Sequence, residues 1–433
     1  MDSAERILVR NMRTSKYNFF CKVAGRQFVY QLLSGSLLQI DEELYAALQT
    51  ENLSTIPDSV QATLKSSNIL IDDDLNEVDV VIAANLRARY RSSVLRVTVM
   101  PTLACNFNCW YCYEQHVPSR MTDEAAEATI RFVKRQLEQN AKKGLALDWF
   151  GGEPLLCFDS VILPMQQQLL AWCKAQGIAV QSMMTTNGSL ITPTMADQLE
   201  EIGLRQFQIT LDGGRLYHNR TRFSTSIANS YDTIIQNVKT LCERIDSPTI
   251  ELRINYTAKN VESLAEILDD LDDSLRPYVS LSPHIVWQEA DNVPSMRAAL
   301  QRFEEAAHAR GFTVIQSIPT VRSTTCYTEN ADQFVVNYNL DVYKCTARDF
   351  DGKYSIGRIA ADGKFKPNGL YYRYVTMPSP FTQQSNCLDC SYLPCCLCGL
   401  SCPQKQLEGT APQCDREAIK TTIERYIKQK LKS

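Results

Sequence analysis

From residue 94 the chain alternates short apolar runs with longer stretches of helical periodicity, the pattern of strands that are each followed by a helix. Apolar runs at 95–100, 145–150, 180–185, 206–211, 250–256 and 279–286 predict six strands. The stretches 122–139, 158–175, 193–202, 229–245, 261–273 and 295–310 predict the helices between and after them. Six β/α units in series imply a parallel sheet with right-handed crossovers. Six units make an open, partial (β/α)6 barrel over residues 91–315. In such barrels chemistry sits at the C-terminal ends of the strands. The unusual residues fall there: Cys105 after the first strand, Gly151-Gly152-Glu153-Pro154 after the second, Thr186-Asn187-Gly188 after the third, and Asp212-Gly213 after the fourth.

The flanks read differently. Residues 17–30 predict a hairpin turning near Gly25. Asp41 caps a short helix with Leu44, Tyr45 and Leu48 on one face, and Pro57-Asp58 opens another with Val60 and Leu64. Residues 1–90 are therefore expected to form a small separate winged-helix-like module. From about 316 to 414 regular periodicity fades and cysteines dominate, so metal ligation is the expected source of order. Residues 415–433 predict an amphipathic helix with Ile419, Ile423, Ile427 and Leu431 on one stripe.

Composition changes this picture at one point. Of 433 residues 16 are cysteine and only 4 are histidine, which favours all-thiolate sites suited to zinc or iron–sulfur clusters. Three cysteines lie in the short run 105–112 and a second group crowds 387–402. The start of the chain has no apolar core of a signal peptide, no stretch is long and apolar enough to span a bilayer, and the net charge of −4 offers no field for nucleic acid. A cytoplasmic protein is expected, with no membrane or nucleic-acid partner. In a reducing compartment such cysteines bind metal or do chemistry. Cys21, Cys157, Cys173 and Cys242 lie in apolar contexts and are expected in the core.

The sharpest motif is Cys105-Asn-Phe-Asn-Cys109-Trp-Tyr-Cys112, a C-x3-C-x2-C run on one loop. Three thiolates can hold three corners of a cubane cluster and leave the fourth iron open, whereas a structural zinc site wants four ligands. The run resembles the signature of the radical S-adenosylmethionine (SAM) superfamily. That resemblance implies a 4Fe–4S cluster on Cys105, Cys109 and Cys112 whose open iron is chelated by SAM. Other motifs resemble the family's in order. Gly151, Gly152, Glu153 and Pro154 match its SAM amino-group segment, Thr186 and Asn187 its ribose segment, and Thr210, Asp212 and Arg222 its fourth-strand motif with the run His218 to Arg222. Arg253 is implied as a partner of the SAM carboxylate, and Tyr111 as a neighbour of the cofactor. The resemblance covers about residues 94–310.

The C-terminal cysteines resemble the SPASM extension, which carries two auxiliary 4Fe–4S clusters. The match gives Cys326, Cys345 and Cys402 to the first cluster, and Cys387, Cys390, Cys396 and Cys414 to the second. Two departures stand out. The family's glycine before the second cysteine is Leu340 here, and Cys395, Cys396 and Cys398 crowd together, so that either Cys396 or Cys398 fills the third place. The first cluster then has three protein ligands and an open iron, or is closed by Cys398.

A small recognition module, a radical SAM barrel and SPASM resemble the layout of maturases of ribosomally made peptides. The resemblance implies reductive cleavage of SAM to a 5′-deoxyadenosyl radical, a precursor peptide bound through its leader, and an electron donor such as flavodoxin or ferredoxin. The expected product is a thioether or carbon–carbon crosslink. Alternatives are a sulfatase-maturating-type enzyme that forms formylglycine, a small-molecule radical enzyme, and a zinc-stabilised binding protein with no catalysis.

Overall fold

A computed structural model describes residues 11–224, 226–315, 324, 326–347, 350–397, 402–410, 414 and 416–431. The chain divides into two compact units. The first holds residues 1–92, 317–331 and 373–433, and the second holds 93–316 and 332–372.

In the first unit, β1 (Met12–Thr14) pairs with β5 (Leu70–Asp72). An antiparallel sheet runs β2 (Asn18–Val23), β3 (Arg26–Gln31), β4 (Leu37–Ile40), with the predicted turn at Gly25 in the left-handed region. Helices α1 (Glu42–Gln49), α2 (Asp58–Ser66) and α3 (Glu77–Tyr90) complete the N-terminal part. Asp41 caps α1 by accepting from the Leu44 N–H at 2.7 Å.

This part is not the separate module expected from residues 1–90. Tyr17, Phe19, Tyr30 and Leu32 share one core with Phe381, Leu393, Leu397, Ile423 and Ile427. The C-terminal helix Arg416–Lys430 therefore buries its Ile423 and Ile427 stripe in the same body. The segment read as 316–414 is likewise divided between the two units, and 415–433 is not a domain apart.

The second unit is built on an eleven-stranded sheet. Its parallel part contains the six predicted strands as neighbours in sequence order. They are β6 (Val94–Met100), β8 (Gly144–Trp149), β9 (Ala179–Thr186), β10 (Gln206–Leu211), β12 (Thr249–Tyr256) and β13 (Val279–Ile285). Two short strands, β7 (Asn108–Cys109) and β11 (Arg222–Phe223), pair outside this sheet. The main connecting helices are α4 (Asp123–Gln139), α5 (Leu163–Ala175), α6 (Pro193–Glu201), α7 (Arg215–Thr221), α8 (Ser230–Arg244), α9 (Leu264–Asp270) and α10 (Val293–Ala309). Beyond β13 lies β14 (Thr313–Val314), and beside β6 lies β15 (Gln333–Asn337), also parallel. From β15 the sheet continues antiparallel through β16 (Asp341–Tyr343), β17 (Gly357–Ile359) and β18 (Phe365–Pro367). Part of the region expected to lack regular structure thus extends the sheet. No helix among the described residues is long and apolar enough to cross a membrane.

The two faces of the parallel sheet differ. On the face that carries Val97, Val99, Leu147, Trp149, Ile209, Leu252 and Leu281, side chains are fully buried. Trp149 Nε1 donates to Gln166 of α5 at 3.0 Å, which identifies this as the helix-covered side. Alternation puts Asp148, Gln208, Thr210, Glu251, Arg253, Ser282 and His284 on the other face. Closed β/α barrels fill that interior with branched apolar side chains. Here it is a polar, partly accessible surface.

Candidate functional site

The loop 101–121 leaves β6 at its C-terminal end, where its own polar groups fold it. Thr102 Oγ1 donates to the Ser119 carbonyl at 2.6 Å and accepts from the Ala104 N–H at 2.9 Å. Phe107 is buried beneath it. The strand pair β7–β11 fixes its middle, with Cys109 opposite Arg222. Cys105 and Cys109 are half-buried and Cys112 is exposed. Burial pushes the Cys105 thiol up to about 12 and the Cys112 thiol up to about 11. Burial also raises Cys109, against a downward pull from Arg222. His116 Nε2 lies 3.4 Å from the Cys112 sulfur.

The loop after β8 packs on this one backbone to backbone. A Cβ at Gly151 would meet the Thr102 carbonyl, and one at Gly152 would meet the carbonyls of Leu103 and Ala104. Only glycine allows the approach, and Gly151 has φ +127°. The Glu153 N–H donates to the Ala104 carbonyl at 2.9 Å. The Glu153 carboxylate is fully buried and accepts from Thr186 Oγ1 (2.7 Å), the Asn187 N–H (2.7 Å) and the Leu155 N–H (3.1 Å). Pro154 is buried at the first position of the following helical turn. Glu153 is thus a brace between two loops. Asn187 Nδ2 donates in turn to Asn106 Oδ1 at 2.7 Å, which ties the third strand's loop to the cysteine loop.

Across the mouth a buried network centres on the Tyr111 hydroxyl. It donates to Asp212 Oδ1 (2.7 Å) and accepts from Arg222 (3.0 Å) and Asn255 Nδ2 (3.0 Å). Arg222 and Asp212 form an ion pair at 4.0 Å, both almost wholly buried. Burial pushes the Asp212 carboxyl up, against the pull of Arg222. The Arg222 guanidinium also lies over the Phe107 ring at 5.5 Å. His218 Nδ1 accepts from the Asp212 N–H at 3.2 Å, and burial keeps the imidazole neutral. Thr210 and Arg253 are register partners on the polar face, and Arg253 Nε donates to Asn255 Oδ1 at 3.1 Å. Asn255 is opposite His284 in register, and Ser282 lies 3.0 Å from His284 Nε2.

The second unit therefore gathers Cys105, Cys109, Cys112, Tyr111, Gly151 to Pro154, Thr186, Asn187, Thr210, Asp212, Arg222 and Arg253 at one end of its strands. Sequence reasoning assigned no role to Asn255, Asn106, His116 or His284. Asn255 lies two residues beyond Arg253 on β12, and that spacing is the signal that puts both on one face.

The remaining cysteines are spread over both units. Cys345 follows β16 in the second unit, and Cys326 and Cys402 belong to the first. In the first unit Arg416 draws charge stabilisation from Cys390, Cys414 and Cys387, so these three thiols share one cationic neighbour. Cys396 ends the short helix Leu393–Cys396. Cys395 is buried in the apolar core with its thiol toward the Leu32 carbonyl at 3.9 Å. Cys398 lies outside the described residues. Leu340, where the family has glycine, sits at φ +71° in the turn between β15 and β16.

Among the described residues no three Cys, His, Asp or Glu side chains form a ligand set for a single metal ion. The donors at the mouth are three thiols on one loop, which suits an iron–sulfur cluster. One further observation favours an acceptor group beside that loop. Arg222 Nε is buried without a hydrogen-bond partner, on a residue held opposite Cys109.

Residues 99–282 match the Radical SAM superfamily. The chain is 27% identical to the Fe-coproporphyrin III synthase of Methanosarcina barkeri over 43% of each protein. It is 22% identical to the radical SAM cyclopropyl synthase TigE of Paramaledivibacter caminithermalis, over 52% of this chain and 54% of that protein. The chain spans about half the length of the curated relatives it matches. Among solved structures, native anSMEcpe with bound AdoMet superposes with TM-score 0.58 at 16% identity, covering 78% of this chain and 98% of that one. Streptococcus suis SuiB bound to its precursor peptide SuiA superposes with TM-score 0.50 at 15% identity, covering 94% and 99%.

Proposed function

We propose, from the premise that the barrel unit is a radical SAM enzyme core, that this chain modifies a ribosomally made precursor peptide by forming a thioether or carbon–carbon crosslink. A 4Fe–4S cluster with bound SAM would supply the chemistry, the generation of a carbon radical able to abstract hydrogen from an unactivated carbon. The protein's residues do the rest. Cys105, Cys109 and Cys112 would hold the cluster, and the Glu153 brace keeps their loop against the ends of the second and third strands. Gly151, Gly152, Thr186, Asn187, Thr210, Asp212 and Arg253 surround the SAM position, with Tyr111 fixing Asp212 and Arg222. The polar face of Gln208, Glu251, Ser282 and His284 offers hydrogen bonds to a polar substrate such as a peptide backbone.

The observation that carries the peptide reading is the β2-β3-β4 sheet. Neither β2 nor β4 has a second strand partner among the described residues, so either edge can accept an extended leader by β-augmentation. The fold likeness to SuiB, bound to a precursor peptide and covering this N-terminal part as well, supports the same reading. The auxiliary clusters are part of the proposal: Cys387, Cys390, Cys396 or Cys398, and Cys414 for one, Cys326, Cys345 and Cys402 for the other. An electron donor of the flavodoxin or ferredoxin type completes it.

Two measurements on full-length protein test this. Anaerobically reconstituted enzyme should release 5′-deoxyadenosine from SAM under reduction, and the Cys105→Ala variant should not. A candidate precursor's leader should bind, and the same leader with N-methylated backbone amides should not, because methylation removes the donors that pair with a strand edge. Deleting residues 1–90 is no substitute, since they share a core with 381–427. Oxidation of a cysteine or serine to formylglycine, with no crosslink and no need for the leader, would favour a formylglycine-type enzyme that reads only the target residue.

A further inference from the structure

We propose that Arg222 sets the reduction potential of the cluster held by Cys105, Cys109 and Cys112. The inference rests on the radical SAM reading above and concerns a residue that a cofactor-contact role alone does not explain. Arg222 is held at Cys109 in three independent ways. The strand pair β7–β11 puts the two residues opposite each other in register. The guanidinium lies over Phe107 of the same loop at 5.5 Å. One terminal nitrogen donates to Tyr111, the residue before Cys112, at 3.0 Å. The side chain is 8% exposed, so water screens its charge little.

Reduction adds a negative charge to a cluster that is already anionic with its thiolates. A fixed guanidinium beside one thiolate stabilises the reduced form more than the oxidised one. Cluster potentials respond to net charge and to hydrogen bonds at the sulfurs. The unpartnered Arg222 Nε is a buried donor available for such a bond. Asp212, 4.0 Å from the guanidinium, opposes it. The Tyr111 hydroxyl and the Asn255 amide hold that carboxylate in place. The arrangement is a buried cation tempered by a buried anion, and the two act on the potential with opposite signs.

The test is an EPR-monitored redox titration of full-length, anaerobically reconstituted protein without SAM. The signal that disappears in the Cys105/Cys109/Cys112 triple alanine variant identifies the cluster concerned. Absence of any such signal in the wild type would count against the radical SAM reading, independently of Arg222. With the signal present, Arg222→Gln should lower the midpoint potential, Arg222→Lys should stay near wild type, and Asp212→Asn should raise it. An Arg222→Gln midpoint equal to wild type at equal iron content overturns the proposal. So does an Arg222→Lys shift as large as that of Arg222→Gln, since shape rather than charge would then matter. If Arg222→Gln cannot hold the cluster, Asp212→Asn decides, and an unchanged or lowered midpoint there rejects the idea.

Discussion

The backbone N–H of Asn187 donates to the buried carboxylate of Glu153 at 2.7 Å, so the loop after β9 hangs from the loop after β8. The same carboxylate accepts from Thr186 Oγ1 and the Leu155 N–H. Glu153→Gln turns one acceptor oxygen into an amide that faces a donor. A buried donor left unsatisfied costs about 1–3 kcal/mol. The variant should unfold at lower temperature in a calorimetric scan and retain less iron after reconstitution. An unchanged melting temperature would show that the brace carries no stability.

The three-thiol loop makes a stoichiometric prediction. Reconstituted wild type should hold close to twelve irons if all three cubane clusters form, and the Cys105/Cys109/Cys112 triple alanine variant should lose about four. Iron and sulfide assays give the count. Bound zinc in place of iron in both proteins would replace the catalytic reading with that of a structural metalloprotein.

Much of this fold is visible in the sequence, and the parts that are not share a cause. The six parallel strands show themselves because Val97, Val99, Leu147, Leu252 and Leu281 recur on a helix-covered face. The polar face is present in the same alternation, at Gln208, Glu251, Arg253 and His284. It carries little weight in a sequence reading because parallel strands are usually apolar on both faces. β15 is missed because Phe334, Val335 and Val336 are too short a run, while their polar neighbours Gln333 and Asn337 are also buried. The Ile423 and Ile427 stripe announces a buried helix face but not its partners Tyr17 and Tyr30. The Tyr111 network is the extreme case. Its partners Asp212, Arg222 and Asn255 lie 101, 111 and 144 residues away, beyond any local pattern.

Leu340 occupies a left-handed backbone position, φ +71°, that costs an L-residue roughly 1–2 kcal/mol. The turn that demands it is closed by the Leu340 N–H donating to the Asn337 carbonyl at 2.9 Å. Leu340→Gly should therefore raise stability by about 1 kcal/mol, less the entropy that glycine adds to the unfolded chain. A higher melting temperature with unchanged iron content is the expected result. A lower one would mean that packing of the half-buried leucine outweighs the strain.

Asp148 gives a pH-dependent prediction with a definite sign. It lies on the polar face of β8, and burial pushes its carboxyl up from 3.8 to about 6, partly offset by Arg96. An acid whose pKa is higher in the folded state holds its proton more tightly there, so folding is favoured while the group stays protonated. That advantage is intact below 3.8 and is lost as pH rises toward 6. Above that value the ionised carboxylate burdens the native state by on the order of 1–3 kcal/mol. Asp148→Asn keeps the shape and removes the charge. Wild type and variant should melt together near pH 4, diverge in the variant's favour through pH 6, and stay a constant distance apart at pH 7 to 8. Other titrating groups are common to both proteins and cancel in the difference. A gap that does not change with pH would show that Asp148 ionises freely and that the polar face around it is well hydrated.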